Sequence, residues 1–500
     1  MAKNQLFATK SLAQVLKEEA GDNRLKRVLG PWALTAVGIG AVIGAGIFVA
    51  TGEAAHEKAG PALMVSYMVA GLLCIFAALC YAEFASMAPV AGSAYTYAYT
   101  TLGELFAWII GWDLILEYAV GAATVANGWS SYFQGILTKF NMNLPDYLSK
   151  PPFVYENGVI HSSGGYINLP AVIIVAIVTA ILVKGISESA KFNALMVVIK
   201  LAAVLFVILV GAFYINPDNY HPFAPYGWTG INFFGWNVHG QQNAGGEPVG
   251  MLAGAAIIFF AYIGFDAVST QAEEAKNPTK DIPFGIVMSL IICTILYIGV
   301  VAVLTGMVKY DLISKDAGVS DAFKQVGLPW SEFIINAAGV AGITSVLLVM
   351  MLSAPRVLLA MARDGLFPTR FFADVHPKFK TPWKSTIVVG IFVAAAAGLL
   401  PITALLNLTN IGTLFAFIIV CSAVLVMRKT NPNVPRPFRC PLVPVVPLAG
   451  IILGLLLMLS LPYENWWRLI VWLALGLLVY FLYGKRHSKQ RERTAAGDHT

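Results

Sequence analysis

Gly38-Ile39-Gly40-Ala41-Val42-Ile43-Gly44-Ala45-Gly46-Ile47-Phe48 lies inside the first long apolar stretch of this chain. Four glycines fall where a membrane helix should be most regular, and an interior glycine costs a helix roughly 1 kcal/mol relative to alanine. Backbone at membrane depth leaves the helix only where it lines a cavity or is buried in protein. A break at Gly44-Ala45-Gly46 would aim free N–H groups at an anionic group of a ligand. The competing reading is close helix packing, for which Gly40 and Gly44 supply a G-x-x-x-G pair.

The composition places the segment in a membrane. Hydrophobic residues make up 58% of the 500 and charged ones only 12%, against about 25% charged in typical soluble domains. Twelve apolar stretches are long enough to span, at about 33–51, 62–87, 104–137, 168–184, 191–215, 251–272, 283–307, 332–361, 383–399, 402–428, 442–461 and 466–484. The third and eighth are long enough to tilt or to extend past the bilayer. No signal peptide is expected, because the first residues are polar and no small-residue cleavage site follows the first apolar run. With both ends inside, the outer loops hold only Lys58, Lys139, Lys150, Lys309, Lys315, Lys324 and Arg468, and the remaining loop and tail Lys and Arg fall inside. The positive-inside rule therefore predicts cytoplasmic termini. The net charge of +6 follows from those inner loops and needs no nucleic-acid partner. The cysteine count is odd, four of the five lie within spans, and their spacing suits no metal site, so neither disulfide nor metal is expected. The seven histidines fall in loops or tails, which leaves a membrane metalloprotease little support. Ser11 to Glu19 reads either as an amphipathic helix on the inner surface or as a solvated tail. The long outer loops at 138–167 and 216–250 suit elements capping an outer vestibule.

A second interruption resembles the first. The sixth stretch reads Ile257-Ile258-Phe259-Phe260-Ala261-Tyr262-Ile263-Gly264-Phe265-Asp266, with Gly and Asp beside four aromatics. Stretches one and six are five apart, so an inverted five-plus-five repeat would pair them, and paired interruptions are a sequence pointer to a transporter site. Asp113, Glu117, Lys200 and Asp266 lie well inside stretches, where an ionisable group costs about 2.5–3.5 kcal/mol on insertion scales. Lys200 falls about 14 Å deep at 1.5 Å per residue. Burial penalises its ammonium, so it either loads and releases a proton or stays paired with a carboxylate. Lys191, nearer the inner interface, reads as a snorkelling anchor. Asp266 suits an N-cap for the second half-helix, a polar contact to substrate, or both. Asp113 and Glu117 share one helix face; Glu117 either lines a pocket or is an internal structural acid. Glu83, at the inner end of the second stretch, reads as structural.

The glycine pattern Gly38-x-Gly40-x-x-x-Gly44-x-Gly46-Ile47-Phe48 resembles the first-span signature of the amino acid–polyamine–organocation (APC) transporters. Phe259 to Asp266, followed by Glu273-Glu274 and Asn277-Pro278, resembles the sixth span of their cationic amino acid transporter branch. Pro355-Arg356-Val357 through Ala362-Arg363-Asp364-Gly365-Leu366-Phe367-Pro368 is similar to the family's eighth-span exit. The resemblance covers nearly the whole chain. It implies an all-α integral membrane protein with twelve transmembrane helices in the fold of the bacterial sodium-coupled leucine transporters (LeuT-like). Two inverted five-helix repeats would have discontinuous helices 1 and 6, and two further helices would follow. The corresponding segments are a cytoplasmic tail at 1–30, repeats at 31–215 and 251–428 around an outer loop at 216–250, the two further helices at 429–484, and a cytoplasmic tail at 485–500.

The resemblance further implies that a substrate carboxylate meets the N–H groups of Gly44, Ala45 and Gly46, while its ammonium meets carbonyls near Ile43 and those of Phe260, Ala261 and Ile263. Phe260 would close over bound substrate. Lys200 matches a fifth-span lysine that stands in for sodium in proton-coupled relatives. In this fold the eighth span bounds the side-chain pocket, where Val349-Met350-Met351 places a bulky apolar group. Met350 there would shorten the pocket and favour small neutral amino acids such as alanine; its other reading is ordinary helix packing. The expected function is proton-coupled import of L-amino acids by alternating access, without enzymatic chemistry or cofactor, at the plasma (inner) membrane. Rivals are a cationic amino acid uniporter, an obligate exchanger, and a membrane sensor that transports nothing. The expected partners are the amino acid, protons and membrane lipid, with a small membrane accessory peptide or a sterol-like lipid as further candidates and no nucleic acid.

Overall fold

A computed structural model describes residues 5–11, 29–87, 93–156, 159–185, 187–243, 245–314 and 318–491. Most of the segment read as an amphipathic tail helix, the end of the C-terminal tail and the Lys191 side chain lie outside what is described.

The described chain is predominantly helical. Eight helical segments are long and apolar enough to cross a membrane, and four shorter apolar helices, Pro31–Val42, Leu169–Lys184, Trp383–Leu399 and Val445–Leu459, accompany them. Pro31–Val42 is α1, Leu63–Met87 α2, Ser93–Thr101 α3, Glu104–Lys139 α4, Leu169–Lys184 α5, Ser187–Gly211 α6 and Met251–Ile258 α7. Pro278–Met307 is α8, Pro329–Arg363 α9, Trp383–Leu399 α10, Ile402–Thr430 α11, Val445–Leu459 α12 and Tyr463–Val479 α13. Prolines open α1, α8 and α9 at their first positions, where the missing N–H has no helical acceptor anyway and φ is already set. The 36 residues of α4 and 35 of α9 exceed the roughly 20 that a span needs. These two helices pack along each other at the centre of the bundle.

Two features depart from the sequence reading. The segment between the second and third stretches carries α3, whose Ser-Ala-Tyr-Thr-Tyr-Ala-Tyr-Thr-Thr sequence has no apolar run to announce it. The loops at 138–167 and 216–250 hold short antiparallel hairpins, among them β1 (Phe153–Glu156) with β2 (Val159–Ser162) and β3 (Ile231–Phe233) with β4 (Trp236–His239). The β3–β4 turn uses Phe234 and Gly235 at positive φ, and aromatic and β-branched residues in the flanks suit strands.

Buried ion pairs tie the ends of the helices together. Glu83 at the end of α2 accepts from Arg428 Nε at 2.9 Å, from Arg436 Nε at 3.1 Å and from the Cys440 N–H at 2.8 Å, which joins α2 to the end of α11 and the loop before α12. At the start of α4, buried Glu104 accepts from Tyr99, Tyr480 and Arg491. At the opposite face Lys58 pairs with Glu247 at 2.7 Å, and the Gly250 N–H donates to Lys58 O at 2.7 Å. The loop 216–250 is thereby pinned to the segment that follows the first break.

Removing one partner of a buried pair leaves an uncompensated charge, at a cost of about 3–5 kcal/mol. Glu83→Ala strands Arg436, whose side chain is 2% exposed. The expected outcome is a clearly lower unfolding midpoint for the detergent-solubilised protein, followed by tryptophan fluorescence. An unchanged midpoint would remove this network from the stability of this end of the helices.

Candidate functional site

Both predicted interruptions are present as breaks in helix geometry. The first helix ends at Val42 with Ile43 extended (φ −74°, ψ 104°), and the chain resumes as a π-helical turn at Gly46–Ala50. In the sixth stretch α7 ends at Ile258, a 3-10 turn covers Phe259–Tyr262, and Ile263 is extended. Gly264 then takes φ +109°, where glycine is favoured, before a second 3-10 segment at Phe265–Glu274. The segment Gly46–Ala50 packs against the turn Phe259–Tyr262. A Cβ on Gly46 would lie 2.2 Å from Ala261 Cα, and one on Gly44 would lie 2.4 Å from a Val346 methyl of α9. These two glycines are therefore required for close approach of backbones, not merely for flexibility.

Among the described residues no acceptor is found for the N–H groups of Gly44, Ala45 and Gly46, and the first N–H groups of a helix have no acceptor within it. The carbonyls on the other side are largely engaged. Ile43 O accepts from Lys200, Ala261 O lies 2.9 Å from the Tyr297 hydroxyl, and Phe260 O accepts from the Ile263 N–H at 3.2 Å. Phe260, Ala261 and Ile263 are all buried.

Lys200, on α6, is fully buried. Its ammonium donates to Gly40 O at 2.7 Å, Ile43 O at 2.8 Å and Ser345 Oγ at 2.8 Å. Three N–H bonds meet three neutral oxygens, and no carboxylate among the described residues lies within ion-pair distance of it. Of the two readings open for Lys200, permanent pairing with a carboxylate is thus absent from this geometry. The lysine instead staples the frayed end of α1 to α9.

Tyr297, on α8, is a comparable staple that the sequence did not single out. Its hydroxyl lies 2.8 Å from Val42 O and 2.9 Å from Ala261 O, so one donor serves a carbonyl from each break. Its ring packs edge-on against Tyr67 and Tyr262. An aromatic in an apolar span carries no local mark of such a role.

The acidic residues collect beside the second break. Asp266 accepts a short hydrogen bond from Tyr118, the residue after Glu117 on α4. Asp266 is the second residue of the segment it was expected to cap, whose N-cap position is Gly264. Neither carboxyl oxygen of Glu117 or Asp113 has a hydrogen-bond partner among the described residues. Asp113 lies against Gly412 of α11, where a Cβ would sit 2.7 Å from its carboxyl oxygen. Met350 is buried on α9 with its sulfur 3.1 Å from a Cβ position on Gly121 of α4. On one side of the breaks the Arg356 guanidinium donates to Glu274, both side chains being buried, and Thr270 lies 3.3 Å from Ser353. The backbone of Leu29 pairs with the end of the same segment, donating to Glu274 O and accepting from the Lys276 N–H.

Gly46→Ala puts a methyl group into backbone of the opposite break, and overpacking of this kind costs about 1–3 kcal/mol. A lowered unfolding midpoint is expected, whereas Gly30→Ala, where a Cβ meets nothing within 4 Å, should be neutral. Equal midpoints for the two variants would contradict the close approach of the breaks.

The chain matches the family described as amino acid permease over residues 29–482. It is 45% identical over 488 residues to a branched-chain amino acid permease of Bacillus subtilis (strain 168), covering 97% of this chain and 99% of that one. It is 44% identical over 485 residues to a methylthioribose transporter of the same organism, with the same shares covered. A vacuolar cationic amino acid transporter 4 of Arabidopsis thaliana is 37% identical over 444 residues, 86% of this chain and 68% of that one. These relatives are named as transporters or permeases, not as enzymes. With apolar helices of membrane-spanning length around two broken segments, the chain belongs to the amino acid permease family, as a multi-pass membrane transporter of the APC superfamily and its cationic amino acid transporter branch.

Proposed function

We propose that this protein is a proton-coupled symporter that imports small neutral L-amino acids across the plasma (inner) membrane by alternating access. The observation that carries the reading is the ammonium of Lys200, held by the Gly40 and Ile43 carbonyls and by Ser345. A neutral amine has two N–H bonds, so loss of a proton ends one of these three donations, and the Ser345 contact survives only if its hydroxyl turns from Gly40 O or Gly342 O to donate to the amine. Protonation and the shape of the first break are then coupled by bond count alone. In this reading ten of the apolar helices form inverted five-helix repeats at 31–215 and 251–428, two further helices follow at 429–484, and both termini are cytoplasmic.

The unpaired N–H groups of Gly44, Ala45 and Gly46 would take the substrate carboxylate, aided by the partial positive charge at a helix start. Ile263 O and the remaining lone pairs of Ile43, Phe260 and Ala261 would take the ammonium. Phe260 closes the site, Asp266 and Tyr118 border it, and Met350 limits the side chain. The branched-chain permease among the relatives is consistent with a neutral aliphatic substrate. A cationic substrate is the second reading, favoured by the unpartnered carboxyl oxygens of Glu117.

Uptake of labelled alanine into proteoliposomes should rise when an inward proton gradient is imposed. Uptake that ignored this gradient but required sodium, or internal amino acid, would overturn the symport. Lys200→Ala should abolish gradient-driven accumulation while preserving the thermal shift that alanine produces on binding; loss of both would assign the lysine to structure. Met350→Ser should admit arginine in competition assays, and an unchanged substrate range would remove Met350 from the pocket.

A further inference from the structure

The β3–β4 hairpin of the loop 216–250 turns an apolar face outward. Phe233 and Trp236 are directly paired across the strands, and Asn232 pairs with Asn237. Directly opposed residues share a face, and side chains alternate along a strand. Phe233 and Trp236 therefore lie on one face, with relative exposures of 48% and 79%, and Val238, also exposed at 62%, follows at the bulge opposite Ile231 and Asn232. On the other face Asn232 is buried, its side chain accepting from the Gly235 N–H, while its partner Asn237 is exposed. A hairpin bathed in water would be expected to show the reverse arrangement.

The surroundings of the hairpin point to lipid. The turn residue Phe234 packs against Trp466 and Trp467 at the first turn of α13, with ring centroids 5.5 and 6.0 Å away. Beyond that turn α13 presents exposed Ile470 and Val471, so the hairpin face continues the outward apolar surface of a membrane helix. Residues 222–246 contain no Asp, Glu, Lys or Arg, while Trp, Phe, Asn and Gly recur. A Trp-rich, uncharged segment level with helix ends suits the headgroup region, where rings are half in hydrocarbon and half in water.

We infer that the β3–β4 hairpin is a lipid anchor, seated in the interface of the leaflet away from the termini with Phe233, Trp236 and Val238 toward the acyl chains. The anchor would fix a loop whose far end is bound to Lys58 just after the first break. It rests on the membrane reading of the helices and is independent of substrate and of proton coupling.

Nitroxide labels placed one at a time by Trp236→Cys, Asn237→Cys and Val238→Cys in the full chain, reconstituted in phosphatidylcholine–phosphatidylglycerol vesicles, test this. The native cysteines among the described residues are buried, and an unsubstituted control corrects for any label they take. Labels at 236 and 238 should collide with oxygen in preference to an aqueous nickel chelate, and the label at 237 should show the opposite preference. Preference for the nickel chelate at 236 and 238 would overturn the anchor in favour of a water-exposed loop. Shielding of both labels from both reagents would overturn it in favour of a protein partner. Binding of alanine in the same vesicles, read by thermal shift, shows separately whether the transport reading stands.

Discussion

Everything in this protein is arranged around peptide groups that have left the helix where no water can solvate them. An unsatisfied N–H or carbonyl in hydrocarbon costs several kcal/mol, so two such breaks persist only if protein covers them. The cover comes from α6, α8 and α9. Lys200 and Ser345 take carbonyls at the end of α1, and Tyr297 reaches Val42 and Ala261. The N–H groups of Gly44 to Gly46 are the part left without an acceptor among the described residues, and that asymmetry gives the site its polarity. Carbonyls are mostly spoken for, while these donors are not.

The same constraint governs which features were readable in the chain alone. Glycine at four positions of an apolar run, and Gly264 with Asp266 in another, are local departures from helix chemistry, so both breaks could be located. Lys200 and the intramembrane carboxyls were conspicuous for the same reason. Their partners were not. Ser345 lies 145 residues from Lys200 and Tyr297 lies 255 from Val42, and a hydroxyl in an apolar span is unremarkable until the fold brings it to a carbonyl. Glu274 and Arg356 each stood in a motif, yet nothing local indicated that they meet. Helix α3 and the outer hairpins were missed because polar, aromatic segments lack the long apolar periodicity that marks the spans.

Chemistry of the substrate side chain is less constrained than chemistry of the backbone. The relatives named for a branched-chain amino acid and for methylthioribose are 45% and 44% identical to this chain, so overall similarity does not separate them. The buried side chains that the geometry brings to the breaks include Val346, against Gly44, and Asp266, bonded to Tyr118 beside Glu117.

Tyr297 has a consequence of its own. A hydroxyl owns a single proton, yet two carbonyls stand within reach of it. If the broken segments slid apart by an ångström, the proton could stay with either one and the number of hydrogen bonds would not change. The contact acts as a swivel whose cost is independent of direction. A relative displacement of the two breaks would then leave the bond count at this contact unchanged.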